Sequence, residues 1–358
     1  MINKIVKILL IIFLILVLAI FYFSIFGIKT DKFNNQISDN ILKFNKKINL
    51  RLNDVNYLLN PYNFTINIKT TNSQILLEGR NLEIKEIQTN VTLKSLINGQ
   101  FSIDDLKITT KEIEIKDIIA LLRVFQNSTK LFALNTIIKD GFVTADINLK
   151  FDKKGNIKKD YKIIGSIKKV KLKILNKVKL QNFNFDFIIY KNIYSLKRID
   201  MVINNVKITS PSIEIENKKN SFFVNGQFFN DKKNFDIDEL KPVFTNVFNT
   251  MDIQKIEFSS KNNFSFNINE TLKFDDFKIE STIDLNQLII KQKNLKLKSY
   301  IPSFGDEVKF SDHKVIINYN KNKFDIRGNG SILLGDNLDS LSYQIIKDNS
   351  NLSFDAEI

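Results

Sequence analysis

The chain has 358 residues, a formal net charge of +14, 43% hydrophobic residues, and neither cysteine nor tryptophan. That apolar content can bury a substantial core and excludes wholesale disorder, and the absence of Cys excludes a disulfide framework and thiolate metal sites. The positive balance accompanies a general richness in Lys, Asn, Ile and Phe, so compositional bias explains it; attraction to anionic lipid is the functional alternative, and nucleic acid is not expected as a partner because the lysines are spread along the chain.

The first element is an apolar run from Ile8 to Ile28, broken only by Ser24 and Gly27. As a helix it would span roughly 30 Å, the thickness of a bilayer core. It is longer than the h-region of a cleaved signal peptide and lacks a small-x-small cleavage site. Residues 1–29 are therefore expected to form an uncleaved signal-anchor. Lys4 and Lys7 precede the run, and Lys29 and Lys32 follow it with Asp31, so the positive-inside bias is slight. The simplest topology leaves a short N-terminus inside and the bulk of the chain outside. In a Gram-negative cell that means a single pass through the inner membrane and a periplasmic bulk.

Residues 30–48 carry Phe33, Ile37, Ile41 and Phe44 at helical spacing. They read as a short amphipathic linker helix, lying in the membrane interface or capping the first strands. From residue 49 to residue 358 the apolar period is two. Val143, Ala145, Ile147, Leu149 and Phe151 alternate with polar residues, as do Phe183, Phe185, Phe187 and Ile189, then Phe264, Phe266 and Ile268. Leu295 with Leu297, Val315 with Ile317 and Tyr319, and Leu352 with Phe354 and Ala356 continue the pattern. Each reads as a half-buried strand with one apolar face. Turn signals at Asp152 to Asn156, Asn217 to Asn220, Gly305-Asp306 and Asn320 to Asn322 separate them. About two dozen strands of roughly five to eight residues are expected. Two stretches break the pattern as helical insertions, near 117–134 and near 236–251, with Pro242 placed in a first helical turn. With no βαβ alternation, the sheet should be mostly antiparallel.

Such a strand has one apolar face, and that face needs a cover. A second sheet would make a closed sandwich or barrel; a bound lipid would make a groove. Periodicity alone leaves both open.

No catalytic constellation or cofactor fingerprint emerges. His313 is the sole histidine; a Ser-His-Asp triad built on it would need distant partners, and an ordinary strand or turn residue is the simpler assignment. Gly328 and Gly330 form a lone G-x-G, expected as a bulge or kink. Asp104-Asp105 and Asp275-Asp276 are expected as solvated turn acids rather than calcium ligands.

The stretch Leu82 to Ile115 sets an apolar strand before Val91 and Leu93, then a Leu-x-x-Gly turn (Leu96, Gly99). Strands with Phe101, Ile103, Leu106 and Ile108, and with Ile113 and Ile115, follow. With the preceding anchor and short helix, this resembles the N-terminal region of the AsmA-like family, which includes TamB-type and YhdP-type envelope proteins. Lys139 to Phe151, followed by Asp152 to Gly155, resembles the long β region of YhdP-type members. The resemblance implies a mainly β fold: an N-terminal transmembrane helix, then a long, curved, mostly antiparallel sheet forming a β-groove with two short helices. It also implies an apolar trough for phospholipid acyl chains between inner and outer membrane, with Ile147 as a candidate lining residue. No catalytic residue and no cofactor follow from it. An acyl chain of ~16 carbons crossing water bare would face a barrier on the order of 10 kcal/mol, at about 0.8 kcal/mol per CH₂, which such a trough removes. The alternative is a structural or assembly factor of the cell envelope, holding outer-membrane or other envelope proteins at its strand edges.

Overall fold

The computed structural model describes every residue except 1, 33, 45, 78, 99–102, 126–128, 175–177, 219–220, 242–251, 270–272, 292–306, 322, 335–336 and 350. The chain is mainly β: among the described residues 19 strands form one open antiparallel sheet. It divides into two compact units, one comprising residues 1–136, 141–166 and 188–191, the other 137–140, 167–187 and 192–358.

The first unit begins with helix α1 (Ile2–Ile25), whose segment Val6–Ile25 is long and apolar enough to cross a membrane, with no part of it buried in the protein. The helix ends before the apolar run of the sequence does. Phe26 N still donates to Tyr22 O, but Gly27 takes a φ of +67° and ends the helix. Ile28, expected inside the anchor, instead opens strand β1 (Ile28–Thr30). A Cβ at Gly27 would lie 2.6 Å from Tyr57 O, so the junction needs glycine for both its φ and its space. Gly27→Ala is expected to cost about 1–3 kcal/mol at this joint, measurable as faster proteolysis between α1 and the sheet.

Helix α2 (Asn34–Phe44) packs on β2 (Ile48–Arg51). Asn34 Nδ2 donates to Leu52 O and Asn53 O, and Ser38 Oγ to Asn49 Oδ1. These bonds tie the linker helix to the strands. β3 (Val55–Asn60) pairs with β1 and with β4 (Thr65–Leu77); β4 also pairs with β2. β5 (Arg80–Thr92), the short helix α3 (Leu93–Ile97), β6 (Ile103–Thr110) and β7 (Ile113–Glu114) follow. The expected insertion near 117–134 is two helices, α4 (Ile115–Phe125) and α5 (Thr129–Ile137), before β8 (Ile138–Lys150). Ile118, Leu121 and Val124 of α4 pack on Ile48, Leu77, Leu82 and Ile113, so α4 covers part of one sheet face.

β9 (Lys162–Ile174) and β10 (Val178–Tyr190) lead into the second unit. There β11 (Ile193–Ile203), β12 (Val206–Lys218), β13 (Ser221–Phe235), β14 (Asp252–Asn269) and β15 (Phe274–Lys291) are followed by β16 (Glu307–Asn320), β17 (Lys323–Leu334), β18 (Leu338–Asp348) and β19 (Asn351–Glu357). From β11 onward each strand pairs antiparallel with the next. The expected helix near 236–251 is described only over α6 (Ile237–Leu240), N-capped by Asp236; Pro242, the Leu295–Leu297 strand and the Gly305-Asp306 turn lie outside the described residues.

The strands are fewer and longer than expected, many of 11 to 18 residues. The reason is local: most long strands carry a mid-length bulge, which in sequence imitates a turn between two short strands. Non-glycine residues sit at positive φ at Asn72 in β4, Lys169 in β9, Asn182 in β10, Arg198 in β11 and Asp312 in β16. Register slips fall between Thr209 and Ile213, Asn230 and Lys233, and Ser311 and Lys314. A bulge bends its strand and adds twist. It also reverses side-chain parity, so one face stays apolar although the alternation in sequence slips by one residue.

Candidate functional site, an open apolar face

The register assigns that face residue by residue. In the second unit one row crosses seven strands: Gly226, Phe264, Ile279, Tyr319, Phe324, Lys347 and Leu352. On the other side of the bulges runs a second row, Phe235, Ile256, Leu288, Phe310 and Ile332. The opposite face reads polar, for example Asn225, Ser265 and Lys278. The rings interlock along the apolar face: Phe264 lies 5.9 Å from Phe228 and 6.0 Å from Phe266, and Phe277 lies 6.3 Å from Phe266 and 5.9 Å from Tyr319. Each such pair adds about 0.5–1.5 kcal/mol beyond area burial, and these contacts lie within one layer. The described strands of this unit all belong to one sheet, and most side chains of this face are only half-buried. Among the described residues the sheet is open and not a closed two-sheet sandwich.

Where the bulges align, the apolar face carries a crease of small or polar groups: Ser210, Asn230, Ser260, Asn262, Ser281, then His313 with Gly328 and Gly330. Side chains on the inside of a bend are crowded, which favours small ones. Their polar atoms also take up backbone groups beside the bulges. Asn262 Nδ2 donates to Phe228 O (3.2 Å) and to Ser260 Oγ, Ser210 Oγ donates to Ser212 O, and in the first unit Ala145 N donates to Thr110 Oγ1 (2.8 Å).

His313 is 1% exposed. Its Nε2 lies 2.9 Å from Ser331 O, a carbonyl that can only accept, so Nε2 carries the proton. Nδ1 is buried and unpartnered. Neither nitrogen meets a hydroxyl or carboxylate in the manner of a triad. The ring packs 5.5 Å from Phe310 and 5.9 Å from Tyr343. Gly328 and Gly330 are not themselves the bulge expected of them; the slip lies across from them in β16, at Asp312. They are the bare track on which two rings lie, His313 over Gly330 and Tyr343 over Gly328. Burial pushes the Tyr343 phenol above its ordinary range.

Ile147 lies on β8 in the row Val55, Thr70, Ile87, Ile108 and Ile147, half-buried. Phe185 lies on β10 between Phe183 and Phe187, with ring separations of 4.7 and 6.5 Å. The acid pairs lie in strands rather than turns. Asp104 accepts from Thr92 Oγ1, and Asp105 from Asn90 N and Nδ2. Asp275 takes Lys321 Nζ at 3.0 Å, and Asp276 stands 3.7 Å from the same ammonium. The Lys321 hydrogen bond holds the Asp275 carboxyl below its ordinary range, and Asp275 in turn raises Lys321. A depressed carboxylate contributes stability above its unfolded pKa and loses it as pH falls through the folded one. Lys321→Gln is therefore expected to move the Asp275 titration upward in a carboxyl NMR experiment, with little change in stability near neutral pH, since the pair is exposed. Among the described residues no cluster of three His, Cys, Asp or Glu is placed to hold a metal ion.

No protein-family model, curated protein or solved structure matches the chain.

Proposed function

We propose that the open apolar face holds lipid acyl chains and conducts them along the sheet while headgroups stay in water. The observation that carries this is the continuity of the face: apolar residues recur from strand to strand through β11 to β19, and the described strands belong to one open sheet. Water is a poor cover for such a face, at about 25 cal/mol per Å² of apolar surface, and an acyl chain is a good one. The helix α1 would hold one edge of the sheet at a bilayer, through Gly27 and the β1–β3 pair. The resemblance to the AsmA-like family supports placing that bilayer at the inner membrane, with the sheet in the periplasm and phospholipid passing toward the outer membrane. No energy-coupling motif is present in the sequence, so direction would come from lipid gradients or partners.

A photo-crosslinker at Phe266 or Phe185, followed by lipid mass spectrometry of the gently purified protein, tests the reading. Phospholipid adducts at both positions are expected. Adducts to protein alone would sink it.

The alternative, an envelope assembly factor, draws on β19. The side chains of that strand are exposed along its whole length and, among the described residues, it pairs with β18 alone. In this reading a strand edge would hold the client. Co-purification of outer-membrane proteins without lipid would favour this second reading.

A further inference from the structure

We infer that the rim of the first unit from which α1 springs is a second membrane contact, shaped for anionic phospholipid headgroups. This rests on α1 spanning a bilayer and not on lipid conduction by the apolar face.

The register places the rim. β3 runs from Val55 to Asn60, and Ile28 of β1 stands opposite Tyr57. The chain therefore leaves β1, backward into α1, toward the Asn60 end of β3. The same end of the sheet carries the turn after Asn60, because Asn60 pairs with Thr65. It carries the connection after Thr92, which pairs with Thr65. It also carries the loop after Lys150, which pairs with Asp105 near the start of β6.

Large apolar side chains are displayed on these three loops: Tyr62 is 94% exposed, Phe64 68%, Ile97 83% and Ile157 55%. At the opposite end the tips of β4, β5 and β7 hold Leu77, Leu82 and Ile113, all buried, while Leu122, Phe132 and Leu134 of α4 and α5 are exposed without a comparable cluster of lysines in their sequence. Phe64 is also held at φ +51°, an unfavourable conformation for a bulky residue, while its carbonyl accepts from Leu93 N at 2.9 Å. Strain spent on exposing a phenyl ring has a use where that ring meets an apolar phase.

The charge on the rim matches such a phase. In the loop after Lys150, Asp152 is committed to the turn, accepting from Lys154 N and from Asn156 N and Nδ2, and Asp160 is committed to Lys150 at 2.9 Å. Lys153, Lys154, Lys158 and Lys159 are all exposed, and with Lys150 they outnumber the two acids Asp152 and Asp160, so residues 150–160 carry a net charge of +3. The loop is well ordered by its own bonds: Asp152 N donates to Asn156 O, Gly155 N to Asp152 O and Lys158 N to Lys150 O, and Phe151 bridges to Ile157. It presents one aliphatic tip among four ammonium groups, the pairing that an interfacial anchor uses on anionic lipid. At the end of α1, Tyr22 and Phe26 pack 5.2 Å apart, rings suited to the same headgroup level.

The absence of tryptophan makes the test direct. Single-Trp variants of the full chain, Tyr62→Trp, Ile157→Trp and, at the opposite rim, Asn81→Trp, are reconstituted in nanodiscs of phosphatidylcholine with phosphatidylglycerol, with and without brominated acyl chains. About twofold quenching by brominated lipid is expected at the first two positions and none at Asn81→Trp. Reversing Lys153, Lys154, Lys158 and Lys159 to Glu should abolish the excess quenching of Ile157→Trp in anionic over neutral discs. Equal, weak quenching at all three positions would overturn the inference. So would a blue-shifted Ile157→Trp that brominated lipid leaves unquenched, which would assign the rim to a protein contact.

Discussion

Gly330→Ala is expected to destabilise the second unit by about 2 kcal/mol, among the largest effects of any single methyl added to the chain. The new Cβ would lie 2.5 Å from the His313 ring and 2.6 Å from His313 Cα. The second of these atoms is backbone, fixed in β16 by pairing to β15 and β17, so the strands themselves must move apart. Gly328→Ala meets a different obstacle. All three of its nearest atoms belong to the Tyr343 side chain, at 2.2 to 2.7 Å, and they lie at the far end of that ring. The ring can swing away, so the cost should be smaller and should vanish in Gly328→Ala/Tyr343→Ala. The Gly330→Ala penalty should persist in Gly330→Ala/His313→Ala, because the backbone clash remains. Urea midpoints of these four variants, of His313→Ala and Tyr343→Ala alone, and of the parent complete the two double-mutant cycles. A Gly330→Ala variant with an unchanged midpoint would mean that β16 and β17 are not held as closely as described.

The two glycines also mark how far the sequence can be read. Period-two alternation gave the strand class and the composition of the apolar face, because a solvated antiparallel sheet imposes that pattern directly. The Phe264, Phe266 and Ile268 triplet lies on one face as its spacing demands. Strand length was not legible, because a bulge and a turn use the same residues: Asn, Asp, Ser and Lys with one positive φ. Yet a signal is present. Around Asn72 the apolar parity passes from Ile66 and Ile68 to Ile75 and Leu77, and in β15 it passes from Leu285 to Leu288. An alternation that slips by one across a polar residue and then resumes is what a bulge must look like if the face is to remain apolar. The same blind spot hid the crease. Its Ser, Asn and His side chains read as interruptions of strands, whereas together they line one bend. The rim was hidden for another reason: its lysines and exposed rings are up to about a hundred residues apart, and strand register alone gathers them.

Phe266→Asp should leave the fold nearly intact while cutting co-purified lipid by roughly tenfold. The two halves of this expectation decide between an open face and a buried core. In a closed sandwich an inward-facing carboxylate would cost more than about 4 kcal/mol, since it would be buried without a partner. Here Phe266 is half-buried in a single layer, with Phe264 at 6.0 Å, Phe274 at 5.2 Å and Phe277 at 6.3 Å as its ring neighbours. Losing those contacts should cost about 1–2 kcal/mol, and the new carboxylate can still reach water. Bound acyl chains have no such escape, because a charge set in the middle of the trough must be either passed bare or kept hydrated. Phe266→Leu should restore lipid binding by returning an apolar surface. Ser265→Asp, one residue away on the opposite face beside Asn225 and Lys278, should change neither stability nor lipid content. If Phe266→Asp instead unfolds the chain, the face is a buried core. If it keeps both its fold and its lipid, the acyl chains travel elsewhere.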